Sequence, residues 1–180
     1  MEIRDKLREG NQRYLASSDA ERRLDTAENG QHPYAIVICC SDSRVIPEQI
    51  FHAELGELFV IRVAGNVLDD HQLGSVEYAA AHLHCGYILL LGHTGCGAVQ
   101  AALEGDGEGF IRSITDEIRK AAGDERDPDR ACRRNVRWGV RRLRREFAAH
   151  PEAGNARIEG AVYDIRTGRV QWLEDDLISG

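Results

Sequence analysis

Several features that would point to an unusual class of protein are scarce or absent in this sequence. Only 6% of the 180 residues are aromatic and 4 are proline, and we find no internal repeat or low-complexity linker. With 42% hydrophobic and 29% charged residues, the composition excludes fibrous, collagen-like and disordered classes. A chain of this length buries roughly 70% of its unfolded surface. We therefore expect one domain over residues 1–180, with a helical arm at about residues 1–30 and an α/β core at about residues 31–180.

An excess of basic residues is also missing. Lysine and arginine number 23 against 30 acidic residues, a formal net charge of −7, which disfavours nucleic acid as the main partner. The first ten residues mix both charges and lack the apolar region of a signal peptide. Five cysteines, an odd number, fit a reducing compartment in which thiols stay free. We expect a cytoplasmic protein without disulfide bonds.

No uninterrupted apolar run is suited to crossing a membrane. Residues 78–103 contain no acidic residue, lysine or arginine and are long enough for a bilayer of ~30 Å. However, His82, His84 and His93, together with several glycines, divide this stretch into a helix end, a short strand and the start of another helix. We therefore expect no membrane partner.

Short apolar runs alternate with helical patterns along the chain. Strands are predicted at residues 34–39, 58–61, 87–91, 161–163 and 170–172, and helices at 4–14, 73–83, 96–103 and 111–122. The polar stretch between the first helix and Gly30 is interpreted as a connector. This alternation predicts an α/β fold with a mainly parallel central sheet flanked by helices, and residues 158–173 predict a hairpin at its edge.

One further helix is rich in arginine. Residues 130–146 hold eight arginines and a single acidic residue, while Val136, Val140, Leu143 and Phe147 recur at helical spacing. Arginines on a helix of an acidic protein usually pair with carboxylates of the same chain or of a sister subunit. We prefer that interpretation, and keep weak, salt-sensitive binding of nucleic acid as the alternative.

Two clusters of reactive side chains follow predicted strands. The first is Cys39-Cys-Ser-Asp-Ser-Arg44 and the second is Gly92-His-Thr-Gly-Cys-Gly97. Ligands bind at the carboxyl ends of strands in open α/β sheets. Cys40, His93 and Cys96 therefore form a candidate zinc site, because Zn²⁺ favours thiolate and imidazole ligands, and three protein ligands leave the open position of a catalytic site.

The remaining cysteines have simpler interpretations. Cys39 is expected to point to the opposite face of its strand from Cys40, so only one of the two can face the site. Cys85 and Cys132 are interpreted as small buried hydrophobic residues. Asp42 and Arg44 are close enough in sequence for a charge-assisted contact that orients the carboxylate, although an exposed ion pair of this kind contributes little to stability.

These motifs, taken together, resemble those of the β-class carbonic anhydrases. The similar segments are CSDSRV, GELFVIR followed by AGN, SVEYAAAHL, LGHTGCGAV and GAVYDIRTGRV, in that order and at compatible spacing. The resemblance runs from about Gly10 to the last predicted strand. It implies a β-carbonic anhydrase-like fold. It also implies an enzyme that hydrates carbon dioxide reversibly to bicarbonate and a proton, by attack of zinc-bound hydroxide on CO₂.

The resemblance also assigns roles to individual positions. It implies Zn²⁺ ligands at Cys40, His93 and Cys96, an acid–arginine dyad at Asp42 and Arg44, and Asp42 as a fourth metal ligand in a closed form. It places substrate-pocket residues at Gln31, Phe59 and Tyr78. Further, it implies a homodimer or a multiple such as a homotetramer, with an N-terminal helix that crosses onto a partner subunit.

Departures from the family pattern are few. The branch with an inhibitory bicarbonate site has tryptophan where this chain has Val37, so that site is not expected here. The second predicted strand ends in Arg62-Val63 in place of the frequent Arg-Asn, which leaves Asn66 as the nearby amide.

Two alternatives to carbonic anhydrase activity stay open at this stage. The same zinc site could hydrolyse carbon disulfide or carbonyl sulfide, as some proteins similar to this family do. A zinc-binding protein without turnover would instead need a fourth protein ligand, which Asp42 or Cys39 would have to supply.

Overall fold

The protein contains one five-stranded sheet. The computed structural model describes residues 2–16, 20–148 and 155–174, and the strand order across its sheet is β2-β1-β3-β4-β5. The strands are β1 (Ala35–Cys39), β2 (Leu58–Arg62), β3 (Tyr87–His93), β4 (Arg157–Tyr163) and β5 (Val170–Leu173). The first four pair in parallel, and β5 runs antiparallel to β4. The predicted α/β class, mainly parallel sheet and edge hairpin are confirmed.

Helices connect and flank these strands. They are α1 (Ile3–Leu15), α2 (Ala20–Asn29), α3 (Pro47–Ile50), α4 (Asp70–His82), α5 (Gly97–Glu104), α6 (Ile111–Ala122) and α7 (Pro128–Phe147). A 3-10 turn at Ala64–Asn66 follows β2. The predicted helix at 111–122 matches α6, and the predicted starts of the helices near 73 and 96 differ from the observed starts by only a few residues.

The interpretation of residues 20–29 as a connector is wrong, because these residues form α2. Their charged side chains are helix formers, and several make contacts that a surface loop would not hold in place. Arg22 donates to the carbonyl of Leu55 and forms ion pairs with Glu54 and Glu57. The helix ends before Gly30, whose φ of 82° favours glycine.

The hydrophobic core lies on both faces of the sheet. Alternate residues of β1 point to opposite sides: Ile36, Ile38 and Cys40 pack beneath α4–α7, while Val37 and Cys39 join a smaller cluster on the other face. Every residue of β1 is buried, as expected for a central parallel strand. This alternation also confirms that Cys39 and Cys40 face opposite sides of the sheet.

The long helix α7 covers β3 and β4 and presents its arginines away from the core. Asp127 caps its amino end by accepting from the Arg130 amide, and Pro128 occupies the first turn. Arg130 pairs with Glu125 and Arg142 with Glu117. For these arginines, the expected pairing with carboxylates of the same chain is confirmed.

Candidate metal centre

Three potential metal ligands meet where β1 and β3 end. Cys40 directly follows β1, His93 is the last residue of β3, and Cys96 immediately precedes α5. Because β1 and β3 are parallel neighbours, their carboxyl ends lie at the same edge of the sheet. The three ligand atoms all lie within 4.8 Å of one another, and the three side chains are buried. We call Cys40, His93 and Cys96 the metal cluster.

The sulfur atoms of the metal cluster have the separation that zinc requires. Cys40 Sγ and Cys96 Sγ lie 4.0 Å apart. Two thiolates bound tetrahedrally to Zn²⁺ at about 2.3 Å would be about 3.8 Å apart. The distance therefore fits a shared ion with little movement.

The imidazole of His93 is oriented for ligation. Its Nδ1 lies 3.0 Å from the Thr94 carbonyl oxygen, which can only accept, so Nδ1 carries the proton and donates. Nε2 is then the nitrogen with the free lone pair, and it is buried without a hydrogen-bond partner among the described residues. A buried polar atom without a partner is costly, and a metal ion would satisfy it.

The two thiols of the metal cluster influence each other's ionisation. A hydrogen bond from Cys96 lowers the pKa of Cys40, although burial opposes the charged form. The same contact raises the pKa of Cys96, because its proton is held between two sulfurs. The shared proton therefore favours the thiolate at Cys40, and a divalent cation would displace the proton from Cys96.

Asp42 lies beside the metal cluster and is held by Arg44. Arg44 Nε donates to Asp42 Oδ1 at 2.9 Å and Arg44 Nη2 donates to Asp42 Oδ2 at 2.7 Å, a bidentate contact. Asp42 Oδ2 is 4.0 Å from His93 Nε2. The bidentate contact holds the Asp42 carboxylate towards Arg44.

Arg44 also stabilises the negative charge of this carboxylate. Its hydrogen bonds hold the pKa of the Asp42 carboxyl well below its usual range, so Asp42 is ionised at neutral pH. Arg44 Nη2 further donates to the Gly95 carbonyl, 3.3 Å away, in the loop that carries Cys96. The Asp42–Arg44 pair is therefore tied to both loops of the metal cluster.

Sequence reasoning missed several residues that support this arrangement. Arg62, at the end of β2, donates to the carbonyl oxygens of Cys40 and Asp42 at 3.3 and 2.8 Å. The amide of Gly65 donates to Cys40 Sγ at 3.3 Å, and Cys132 Sγ donates to the His93 carbonyl at 3.2 Å. The sequence signal for Arg62 is its position directly after the predicted strand at 58–61.

Within one chain, the predicted substrate-pocket residues do not meet the metal cluster. Phe59 pairs with Ile36, and Cys40 lies four residues further along, a separation of about 13 Å along the strand. Tyr78 on α4 packs near Phe59, with ring centroids 6.3 Å apart, and is exposed. Gln31 precedes β1 at the opposite end from Cys40.

The parallel sheet, with two thiols and an imidazole gathered at its carboxyl edge, defines an α/β metalloprotein with a zinc-type ligand set. Comparison with known proteins identifies the family. A family model described as carbonic anhydrase matches residues 35–170. A carbonic anhydrase of Mycolicibacterium smegmatis is 37% identical over 186 residues, covering 92% of this chain and 89% of the relative. One of Pseudomonas aeruginosa is 35% identical over 185 residues, covering 89% of this chain and 81% of the relative.

Solved structures specify the class. The β-carbonic anhydrase CafA of Aspergillus fumigatus has a TM-score of 0.82 at 27% identity, covering 98% of this chain and 95% of that chain. A tetrameric β-carbonic anhydrase of Sordaria macrospora has a TM-score of 0.79 at 26% identity, covering 96% and 98%. The chain belongs to the β-carbonic anhydrases, which are zinc enzymes.

Proposed function

We propose that this chain catalyses the reversible hydration of carbon dioxide to bicarbonate and a proton at the metal cluster. The observation that carries this proposal is the convergence of two thiols and an unpartnered imidazole nitrogen beside an ionised carboxylate, in a chain of this family. When bound, Zn²⁺ acts as a Lewis acid that lowers the pKa of water from 15.7 to about 7 and so makes hydroxide available near neutral pH. Cys40, Cys96 and His93 Nε2 would hold the ion.

The ligand set gives Asp42 a larger part in the reaction. Two thiolates and a neutral imidazole balance the charge of a divalent ion, which makes the metal a weaker Lewis acid than one held by three neutral imidazoles. Asp42 is ionised and close to His93 Nε2, so it can accept a hydrogen bond from the attacking group but cannot donate a proton to it. Its role is to orient the attacking oxygen towards carbon, and Arg44 holds it in that orientation.

The alternative functions lack a supporting observation. A non-catalytic zinc protein needs a fourth protein ligand, but Cys39 packs on the opposite face of the sheet and the Asp42 carboxylate is held towards Arg44 by a bidentate contact. The curated relatives described above are named carbonic anhydrases. Carbon disulfide and carbonyl sulfide are therefore kept only as alternative substrates, which an assay of sulfide release tests.

The substrate pocket requires a second subunit. Gln31, Phe59 and Tyr78 lie at the opposite end of the sheet from the metal cluster of their own chain. Exposed Tyr78 and Gln31 can line the approach to a metal cluster only where another copy presents one. This arrangement supports a homodimer, or a homotetramer built from such dimers, as the active form.

The contacts of the N-terminal helices with the rest of the described chain are mainly polar, such as those of Arg22 on α2. Neither α1 nor α2 has a buried residue, and Ile3, Leu7 and Leu24 are exposed. Isolated helices of this length are marginal in water, so packing of an apolar face must stabilise them. We propose that α1 crosses onto the partner subunit, while residues 31–180 form the catalytic core of a single domain.

The location of the protein is also a proposal. All five cysteines are free thiols and buried, which fits a reducing cytoplasm. None of the helices in the described part of the chain combines the length and the apolar character needed to span a bilayer.

Metal analysis and a stopped-flow CO₂ hydration assay on the full chain test the proposed function. The wild type should hold about one zinc ion per subunit, and Cys40→Ser should lose both zinc and activity because one thiolate ligand is gone. Cys85→Ser is the matched control, since Cys85 is a buried cysteine outside the metal cluster, and its Sγ donates to the Tyr87 carbonyl.

Two outcomes would contradict the proposal. A zinc-loaded wild type without CO₂ hydration would rule it out. Rapid release of sulfide from carbon disulfide, with negligible CO₂ turnover, would show that the same site serves the alternative reaction.

A further inference from the structure

A buried amide on α7 lies behind the metal cluster and has no part in the proposed mechanism. Asn135 is only 5% exposed. Its Nδ2 donates to the carbonyl oxygen of Gly65, 2.8 Å away and 70 positions earlier in the chain. Burying an amide is costly unless it is hydrogen-bonded, so this contact fixes the position of Gly65 relative to α7.

Gly65 connects this amide to a ligand of the metal cluster. Its own backbone N–H donates to Cys40 Sγ at 3.3 Å. The residue has φ 68° and ψ 12°, a left-handed conformation that favours glycine. A Cβ at this position would lie 2.6 Å from Ile118 Cδ1, so the turn closely approaches the core and has little freedom to shift.

The same turn of α7 also contacts the backbone of His93. Cys132, three residues before Asn135 and therefore on the same helix face, donates from Sγ to the His93 carbonyl at 3.2 Å. One turn of α7 therefore contacts two of the three ligands of the metal cluster. Cys132 binds the backbone carbonyl of His93, and Asn135 is linked to Cys40 through Gly65.

We propose that Asn135 is a positioning residue of the metal centre, which acts by holding the Gly65 carbonyl so that the Gly65 amide donates to the Cys40 sulfur. This inference rests on the proposed function only in requiring that the metal cluster binds an ion. An N–H donor draws electron density from a thiolate, so it limits the charge that sulfur gives to the metal and preserves the metal's acidity. Hydrogen-bond partners of ligands tune metal sites in this way.

Replacement of Asn135 by leucine tests the proposal, because leucine is similar in size but cannot donate to Gly65. In the Co²⁺-substituted full chain, the thiolate-to-cobalt charge-transfer bands should move to longer wavelength, since the Cys40 sulfur becomes richer in electrons. Competition with a chelator should show zinc affinity weakened about 10- to 100-fold, because the loss of positioning of Cys40 outweighs the stronger donation from its sulfur.

Thr115→Val provides the matched control. Thr115 is fully buried on α6, and its partners belong to its own helix: the hydroxyl has the Ile111 and Arg112 carbonyls as alternative acceptors and accepts from Arg119 Nη2. The variant also loses a buried polar group, so it controls for general destabilisation. Its charge-transfer bands and zinc affinity should match those of the wild type.

If Asn135→Leu does not fold, a measurement on the unmodified chain tests the Gly65–Cys40 hydrogen bond that the proposal requires. In the ¹¹³Cd-substituted wild type, the Gly65 amide proton should show scalar coupling to cadmium through the Cys40 sulfur. Absence of that coupling, or unchanged cobalt bands and zinc affinity in folded Asn135→Leu, would overturn the inference alone. A wild type that binds neither Co²⁺ nor Zn²⁺ would instead overturn the proposed function and this inference with it.

Discussion

At the scale of single residues, the charge state of Asp42 decides what it can do. Arg44 donates to this carboxylate from its backbone amide as well as from its guanidinium, and the side chain of Asp42 is 17% exposed while that of Arg44 is 55% exposed. An exposed ion pair of this kind adds little to stability. The pair is therefore better explained by orientation of a reacting group than by folding.

Replacement of Asp42 by asparagine should separate these two effects. Asparagine keeps the size of the side chain but loses the charge and replaces one acceptor oxygen with a donor. We expect CO₂ hydration to fall about 100-fold, the range of a lost positioned acid–base group, while zinc content stays at that of the wild type. Stopped-flow kinetics and metal analysis of the same preparation measure both quantities.

Asp127→Asn serves as the control for this prediction. Asp127 is a carboxylate of the same chain that caps α7, and asparagine caps a helix about as well as aspartate. Its activity should equal that of the wild type. If Asp42→Asn retained full activity, orientation by Asp42 would be wrong even though the metal cluster could still be the site.

At the scale of secondary-structure elements, α7 packs against the sheet through a position that admits no side chain. A Cβ on Gly139 would lie 2.3 Å from Leu90 Cδ2, and Leu90 is fully buried in β3. Alanine in a helix is ordinarily favoured over glycine by about 1 kcal/mol. Here overpacking should reverse the sign, so Gly139→Ala should lower the free energy of unfolding by about 1–3 kcal/mol.

Gly74 in α4 offers the matched comparison. It is exposed, and a Cβ at this position meets nothing within 4 Å, so Gly74→Ala should raise the free energy of unfolding by about 0.5–1 kcal/mol. Urea unfolding of the two variants and the wild type measures the difference. If both substitutions changed the free energy of unfolding equally, the close packing of α7 on β3 would not prevent a larger side chain at position 139.

A carboxylate at the start of α7 should make the free energy of unfolding depend on pH in the acid range. Hydrogen bonds from the Arg130 side chain, and then from the Asp127 and Arg126 amides, lower the pKa of Glu125 from 4.5 to about 2. Because the folded pKa lies below the unfolded one, Glu125 stabilises the fold fully above about pH 4.5, and this contribution is lost as the pH falls towards 2.

Glu125→Gln isolates this contribution. The difference in free energy of unfolding between wild type and variant should be constant from neutral pH to about pH 5 and shrink between the unfolded and folded pKa values, 4.5 and about 2. Urea unfolding at a series of pH values measures it. A difference that did not change with acid would mean that Arg130 does not hold the carboxylate in solution.

At the scale of the whole molecule, the sequence predicts what depends on local pattern. Apolar runs such as that around Val37 identify strands, and parallel pairing then brings Cys40 and His93 to one edge of the sheet. The adjacent positions of Cys39 and Cys40 also determine which thiol faces the metal cluster, because side chains alternate across a strand.

Features that depend on tertiary packing could not be predicted in this way. Asn135 reaches Gly65 across 70 positions, and neither residue carries a local sign of that contact. The helix α2 was missed because its charged composition also suits a loop, and its contacts with Glu54 and Glu57 form only after the chain folds back. Where tertiary contacts decide, local propensity is a weak guide.

The proposed dimer makes a prediction about subunits that are mixed. If Tyr78 of one subunit serves the metal cluster of another, Asp42→Asn and Tyr78→Ala subunits should complement each other. Random pairing makes half of the dimers hybrid, and each hybrid has one site with both native residues, so activity should return to about a quarter of the wild type on co-expression. Sites built within one chain would give no recovery.

A second mixture also distinguishes a site shared between subunits from a site built within one chain, through the fraction of activity that it retains. Wild-type subunits co-expressed with Asp42→Asn/Tyr78→Ala double-variant subunits should also give about a quarter of wild-type activity if Tyr78 acts across the interface, because only wild-type homodimers have complete sites. If Tyr78 acts within its own chain, every wild-type subunit stays active and about half should be retained. Stopped-flow assays of both mixtures, normalised to zinc content, measure these fractions. No recovery in the mixture of single variants, together with half of wild-type activity in the mixture with the double variant, would contradict the shared site.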